Sequence, residues 1–349
     1  MAPSHGLPAG LPHLVHDAFV RARAAGDLTF FPTQVALLRV HGVPFQLRFA
    51  PSLAKKPKPS DDKISKVPSK PFDPFENPPP GLLIVPQVGE AGSFTHRLVL
   101  NKFAISQDHS ILATSDFRPQ THLLEAGDLA AAYACVNAYH EEGEELYVFY
   151  NSGTHSGASQ PHRHLQLLPV RRMQEGVEPQ MREECGGTMD GILVDQLAWT
   201  SATLPIFVAV AQLPESGGAS AATLHATYLA LYRQACAAAI HTSAINADGE
   251  TVDAAAEESG TIPARMSYNL ALTRKSMAIL PRTAEGSMVS PGGGTLSLNG
   301  TVLAGTALVK SDAEWDALRN DASGLENVLV QIGVPVGSQT LKKEQTAAL

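Results

Sequence analysis

The chain has 349 residues, with 26 Lys and Arg against 34 Asp and Glu, a formal net charge of −8 at pH 7. Hydrophobic residues at 44 % and charged residues at 17 % make a globular composition with a sizeable core, and the length is a prior for two domains or one large one. The acidic balance argues against broad binding to nucleic acid or an anionic membrane, which want a basic footprint, while leaving room for a small, locally basic pocket.

Leu11, Leu14, Val15, Ala18 and Phe19 recur at helical spacing and Gly26 supplies a stop, so an amphipathic helix opens the chain. Runs 35–40 and 45–49 read as strands joined by a turn at His41-Gly42-Val43-Pro44. Residues 51–80 hold nine prolines and read as a long loop, of low complexity near 55–70. Strand-like runs follow at 82–85, 97–100 and 111–114. Asp128 is expected to cap a helix through Asn137 and Tyr139, ended by Gly143. A strand at 145–150, a polar Gly-containing loop at 151–161 and a strand at 164–170 come next. An Ala-rich helix spans 219–242, followed by an acidic, polar stretch at 243–264. Runs 266–272, 277–280 and 301–309 look like strands, and Asp312 is expected to cap a short helix holding Trp315 and Leu318. Strands and helices mix without regular βαβ alternation, which predicts an α+β fold with a mostly antiparallel sheet. A soft boundary falls near 172–195, separating 1–172 from 195–330.

The three cysteines, Cys135, Cys185 and Cys236, are far apart and form no CxxC pair, so neither a disulfide framework nor a thiolate zinc site is expected. Cys135 and Cys236 read as buried thiols on helices. The opening residues lack the basic start and continuous apolar run of a signal peptide, and no stretch of about 18 apolar residues occurs. The expectation is a soluble intracellular protein without a membrane partner.

The informative segment runs from Asn151 to Pro169. In an extended strand alternate side chains share a face, so His162, His164 and Gln166 point one way while Leu165 and Leu167 point into the core. Two imidazoles and an amide in one stripe are expensive to bury without partners and suit the floor of a site. The preceding loop (Ser152, Gly153, Ser156, Gly157, Ala158, Ser159) is rich in small residues that let backbone N–H groups approach an anion, with Ser159 and Gln160 as further donors. Loop plus stripe reads as a phosphate cradle beside a nucleophile. Paired structural histidines, a zinc site on His155, His162 and His164, and a Ser-His-Asp hydrolase are the competing readings. No HExxH motif, nearby Cys or GxSxG elbow supports the last two.

The run Gly157-Ala158-Ser159-Gln160-Pro161-His162-Arg163-His164-Leu165-Gln166 closely resembles the signature of the diadenosine tetraphosphate phosphorylases, also called ATP adenylyltransferases, of the histidine-triad superfamily. It is also similar to the site of galactose-1-phosphate uridylyltransferases. Further matching segments, in the same order, are Pro51–Pro57, His96–Phe103, His109–Thr114 with Phe117 and Gln120, Asp128-Leu129, Ser267–Leu270, Pro281-Arg282 and 304–310. Residues 58–80 and 243–264 look like local elaborations, and Pro291–Gly294 departs from the family pattern.

The resemblance implies a histidine-triad-like antiparallel sheet flanked by helices, with both parts of the chain completing one site in one compact unit. It implies phosphorolysis of diadenosine tetraphosphate by inorganic phosphate to ATP and ADP through an adenylylated histidine. His164 would be the nucleophile, attacking as the neutral imidazole that a pKa near 6.5 leaves available, with its other nitrogen donating to a carbonyl or carboxylate. His162 would support it and Gln166 would hydrogen-bond the phosphoryl oxygens. Lys56, Lys102 and Arg274 are the candidate cations near the polyphosphate, and Asn101, Asn151, Gly157, Ala158, Ser159 and Gln160 the candidate phosphate-binding positions. Asn269 and Thr273 would hold the acceptor nucleotide, with Tyr268 and Met277 as core or adenine-stacking walls and Arg282 as a surface charge. No protein-held metal and no covalent cofactor is expected, only a divalent cation such as magnesium with the substrate phosphates. A cytoplasmic monomer, with the nucleus as a further compartment, is expected. A non-catalytic nucleotide sensor and a dinucleoside polyphosphate hydrolase are the alternatives.

Overall fold

The computed structural model describes residues 4–55, 73–90, 93–184, 195, 204–214, 218–240, 242, 257 and 259–336. In chain order the strands are β1 (Thr29–Phe30), β2 (Gln34–Val40), β3 (Val43–Phe49), β4 (Leu83–Glu90), β5 (Ser93–Leu100), β6 (Phe103–Ala104), β7 (Ser110–Thr114), β8 (Leu146–Ser152), β9 (His164–Pro169), β10 (Ala209–Gln212), β11 (Ser267–Leu272), β12 (Ser276–Arg282), β13 (Gly286–Met288), β14 (Thr295–Ser297) and β15 (Thr306–Val309). The helices are α1 (Leu11–Ala25), α2 (Ala126–Glu141), α3 (Val170–Met173), α4 (Pro179–Glu184), α5 (Ala221–Ala239), α6 (Asp312–Asn320) and α7 (Ser323–Ile332).

Eight strands form one sheet in the order β10-β12-β11-β8-β9-β7-β5-β4, and every neighbouring pair is antiparallel. The fold is thus α+β with a large antiparallel sheet. A smaller sheet, β15-β3-β2, pairs β15 parallel to β3. Both sheets are built from segments on either side of residues 172–195: β11 lies against β8, and β15 against β3.

Strand alternation divides the interior in two. Leu146, Val148 and Tyr150 of β8, Leu165 and Leu167 of β9, and Met277 and Ile279 of β12 face a core shared with α1, α2 and α5. Tyr147 and Phe149, Leu168, Ala278 and Leu280 face the opposite core, shared with β3, β15, α6 and α7. Helix α2 is apolar nearly all round, with Leu129, Ala131, Ala132, Cys135 and Val136 buried, as expected of a helix packed between others. Among the described residues no helix is long and apolar enough to cross a membrane.

Several elements differ from the expectation. Asp128 is not the cap of α2: Glu125 is, and Asp128 sits at the third helical position, where its carboxylate closes a capping box on the Glu125 N–H. Ser311, not Asp312, caps α6. Residues 301–309 are a short 3-10 turn, Gly300–Ala304, that ends on Gly305 (φ 72°) before β15 begins. Helix α7 carries the buried stripe Leu325, Val328, Leu329 and Ile332, which the sequence reading did not find. Cys135 is fully buried and Cys236 half-buried, while Cys185 lies outside the described residues.

Candidate functional site

β8 and β9 pair only as far as Phe149 opposite Gln166. Beyond that point the strands separate and the Gln120 side chain fills the gap. Its Oε1 accepts from the His164 N–H at 2.8 Å, and its Nε2 donates to the carbonyls of Asn151 (2.8 Å) and His164 (3.1 Å). One amide therefore replaces the missing rungs of the ladder and fixes the backbone of His164.

His164 is 3 % exposed. Its Nδ1 lies 2.7 Å from the His162 carbonyl. A carbonyl only accepts, so Nδ1 carries the proton and Nε2 holds the lone pair. Nε2 has no hydrogen bond among the described residues. The Phe75 ring covers the imidazole at a centroid distance of 4.9 Å. Burial pushes the His164 pKa down to about 4 against the pull of the His162 carbonyl, so the ring is neutral near pH 7.

His162 lies in the same stripe and has both ring nitrogens occupied. Nδ1 meets Asp73 Oδ2 at 2.7 Å, and Nε2 meets the Thr114 carbonyl at 2.8 Å and the Thr114 hydroxyl at 2.9 Å. Asp73 is itself fixed, its Oδ1 accepting from the N–H groups of Phe75 and Glu76. Burial favours a raised Asp73 pKa, but the Phe75 N–H and His162 outweigh it and hold the carboxyl below its ordinary value. Phe75 and the exposed Phe117 flank the His162 ring edge-on, at 5.7 and 5.5 Å. Between the two histidines, Arg163 turns to the other face. Its guanidinium donates to Asp128 (2.8 Å), Glu125 (3.0 Å) and the Gly260 carbonyl (3.1 Å), and His96 completes the Asp128 contacts at 2.9 Å. The start of β9 is thereby tied to the first turn of α2.

Gln166 is held by His109, whose Nε2 lies 2.6 Å from Gln166 Oε1. His109 Nδ1 accepts from Asn101 Nδ2 at 3.1 Å. Lys102 is exposed next to Asn101, its ammonium 5.9 Å from the Phe103 ring.

In the loop after β8, Gly153 (φ 85°) and Gly157 (φ 80°) both need left-handed backbone and close approach. A Cβ on the first would lie 2.4 Å from Ser267 Oγ, and one on the second 2.9 Å from the Asn299 Cβ. Ala158 and Ser159 are exposed on this loop and Gln160 is half-buried. Asn151 and Asn269 form a separate buried network. Asn151 Oδ1 accepts from Asn269 Nδ2 (2.8 Å) and the Gly300 N–H (2.9 Å). Asn269 Nδ2 also reaches the Ser156 carbonyl, and its Oδ1 accepts from Arg282, whose other nitrogen donates to the carbonyls of Ala284, Glu285 and Leu298.

Other candidates lie elsewhere. Met277 is fully buried in the core on the opposite face from His164, because β12 turns Met277 and Ile279 one way and Ala278 and Leu280 the other. Thr273 and Arg274 sit in the β11–β12 turn. β11 runs antiparallel to β8, from Asn269 opposite Asn151 to Leu272 opposite Val148, so this turn is at the end of β8 remote from the loop. Thr273 Oγ1 there bonds the Asp195 carboxylate (2.6 Å) and accepts from the Lys275 and Ser276 N–H groups. Tyr268 is buried core, and Arg282 is wholly buried rather than a surface charge. Lys56 and residues 58–72 and 243–256 lie outside the described residues. Among the described residues no three His, Cys, Asp or Glu side chains converge as a metal-binding group. His155 is exposed on the loop, and its backbone N–H bonds Ser267. Sequence reading assigned no role to Asp73, Thr114 or His109; the matching runs around 96–120 were the signal that a functional contact lay there.

Residues 3–182 match the family model of the Ap4A phosphorylase N-terminal domain, and residues 202–335 that of the ATP adenylyltransferase C-terminal domain. Diadenosine 5',5'''-P1,P4-tetraphosphate phosphorylase 2 of Saccharomyces cerevisiae is 29 % identical over 346 residues, 94 % of this chain and 96 % of the yeast protein. Protein APA1 of the same yeast is 27 % identical over 337 residues, with the same coverage. The crystal structure of yeast Ap4A phosphorylase Apa2 superposes with a TM-score of 0.70 at 27 % identity, covering 94 % of this chain and 99 % of that one. Apa2 in complex with Ap4A superposes with a TM-score of 0.69 at 28 % identity, with the same coverage.

Proposed function

The chain belongs to the Ap4A phosphorylase family, and on that premise we propose that it is a nucleotidyltransferase that cleaves diadenosine tetraphosphate with inorganic phosphate to ATP and ADP through an adenylylated His164. The observation that carries the reading is the fixed tautomer of a buried, neutral His164, with Nδ1–H on the His162 carbonyl and the Nε2 lone pair unoccupied among the described residues.

In the first step Nε2 attacks the α-phosphorus of one adenylyl group. The N–P bond forms, the P–O bond to the remaining three phosphates breaks, and ATP leaves. Nδ1 keeps its proton, so the adenylylated ring is cationic and the His162 carbonyl, 2.7 Å from Nδ1, stabilises it. A cationic imidazole is a good leaving group. In the second step an oxygen of inorganic phosphate attacks the same phosphorus, the N–P bond breaks, ADP leaves and neutral His164 is restored. His162 takes no part in bond making. Asp73 and Thr114 hold its ring, and with it the carbonyl that orients His164.

Gln166, two residues along the same face, donates from its amide to the phosphoryl oxygens. Asn101 lies beyond it, held against His109, and we assign it and the neighbouring exposed Lys102 to the leaving phosphates. Gly157, Ala158, Ser159 and Gln160 present the loop on the other side. Asn151 and Asn269 act here through the loop that they brace rather than by touching nucleotide, and Lys56 supplies a further cation. A divalent cation carried by the substrate would neutralise phosphate charge. One chain supplies the whole constellation, so a monomer suffices, and the cytoplasm is the proposed compartment.

Incubation with diadenosine tetraphosphate, with and without phosphate, tests the reading by separation of the products. Sustained release of ATP and ADP that depends on phosphate is expected. Equal turnover without phosphate, giving AMP, would assign the chain to the hydrolases instead.

A further inference from the structure

One backbone donor fixes the orientation of three side chains in turn. The Phe103 N–H lies 3.0 Å from an amide atom of Asn101, and an N–H can meet only an acceptor, so that atom is Oδ1. The other end of the amide, Nδ2, then faces His109 Nδ1 at 3.1 Å and donates to it. His109 Nδ1 is therefore the unprotonated nitrogen and Nε2 carries the hydrogen. Nε2 lies 2.6 Å from the Gln166 amide, so the atom it meets is the carbonyl oxygen. The Gln166 NH2 group is left at the opposite end, with no hydrogen bond among the described residues. A second backbone contact, from the Asn101 N–H to the His109 carbonyl at 2.9 Å, holds the first two members in place.

We propose that His109 is a positioning residue for adenylyl transfer: its Nε2–H holds the Gln166 carbonyl oxygen, so the Gln166 NH2 group turns toward the phosphoryl oxygens at His164. An amide free to flip would present its oxygen to the phosphate in part of the population, where like partial charges repel. Holding it removes that arrangement before substrate arrives, which is preorganisation of a donor toward developing charge. The relay also demands a neutral ring, because a proton on Nδ1 would point at the Asn101 NH2 group. Burial meets that demand by pushing the His109 pKa down to about 4, despite the Gln166 contact that raises it.

The inference rests on the phosphorolysis reading and is tested by a double-mutant cycle on the whole chain. His109→Asn keeps a polar atom near the Nδ1 position for Asn101 but is too short to reach Gln166. His109→Gln extends an N–H close to the Nε2 position. Each is made alone and with Gln166→Ala, and the single-turnover rate of ATP release from diadenosine tetraphosphate is measured beside the KM and the melting temperature. The expected result is a loss of at least about tenfold in rate for H109N, with KM within about threefold. H109Q recovers most of the loss, and H109N has no further effect once Gln166 is Ala. An undiminished rate in H109N, an equal loss in the Q166A background, or H109Q no faster than H109N would overturn the inference. H109F, with a ring of similar bulk, repeats the cycle if H109N does not fold. Failure of the phosphorolysis reading looks different, because the unmodified chain would then release either no ATP or ATP with AMP at a rate indifferent to phosphate.

Discussion

Two buried polar clusters sit on the same face of the eight-stranded sheet, and they differ in what is left over. In the Asn151–Asn269–Arg282 cluster, the Asn269 amide nitrogen makes two bonds, both amide oxygens are satisfied, and Arg282 reaches three carbonyls. In the cluster of His164, His162, His109 and Gln166, every group that orients has a partner, while one lone pair and one NH2 group have none among the described residues. The first arrangement braces a loop and the second holds reactive atoms ready. Burial and polarity are common to both, so neither property alone distinguishes a site from a strut. What distinguishes the site is that its unmatched groups are a nucleophilic lone pair and an NH2 on one stripe, whereas the strut's unmatched Arg282 Nε is a buried guanidinium N–H.

Four substitutions and a pH series test that contrast. The largest effect is expected for His164→Ala. It should cut adenylyl transfer by roughly a thousandfold or more with little change in melting temperature, measured by phosphate-dependent ATP release. Arg282→Met should act the opposite way. It strips donors from Asn269 and three carbonyls, costing about 3 kcal/mol or more in urea unfolding, while transfer per folded molecule holds. If Arg282→Met instead abolished transfer in a folded protein, the strut would be part of the chemistry. Met277→Ala should cost about 2–5 kcal/mol by opening a cavity in the core and leave the KM for diadenosine tetraphosphate unchanged. A raised KM would return Met277 to the nucleotide pocket. Asp73→Asn should lower the rate about tenfold, since it removes the charge that holds His162 and loosens the carbonyl that orients His164.

The smallest effect is expected from pH. Burial holds His164 and His109 at about 4, below the ordinary imidazole value. A depressed folded pKa means stability that is full above the unfolded value, near 6.5, and that declines as pH falls toward the folded one. The single-turnover rate per folded molecule should therefore stay flat from about pH 7.5 to 5 while the melting temperature drops over the acid part of that range. A rate that halves near pH 6.5 would mean that His164 titrates like an exposed histidine.

The main helices and strands were legible in the spacing of apolar residues and the antiparallel sheet in the lack of βαβ alternation, and so was the stripe of His162, His164 and Gln166, because a strand places every second residue on one face. The groups that orient the stripe were not. The His162 carbonyl is backbone, and its contact depends on a ring rotation that no spacing encodes. His109 stands 57 residues from Gln166 and meets it only through the pairing of β7 with β9. Asp73 lies in a proline-rich run that reads as a tether until Phe75 folds over the imidazoles. Thr273, Arg274 and Met277 lie apart from the His164 stripe for a related reason. A motif names residues in order, but the antiparallel course of β11 and the alternation of β12 decide which end and which face they reach.

The Nε2 of His164 is the atom expected to carry the adenylyl group. The most direct test mixes the protein with diadenosine tetraphosphate in the absence of phosphate, quenches it, and maps the covalent adduct by mass spectrometry of its peptides. One adenylyl group per chain is expected, on His164, formed with an equal amount of ATP and discharged as ADP when phosphate is added. Cleavage at full rate with no adduct on His164, or an adduct on His162 instead, would contradict it.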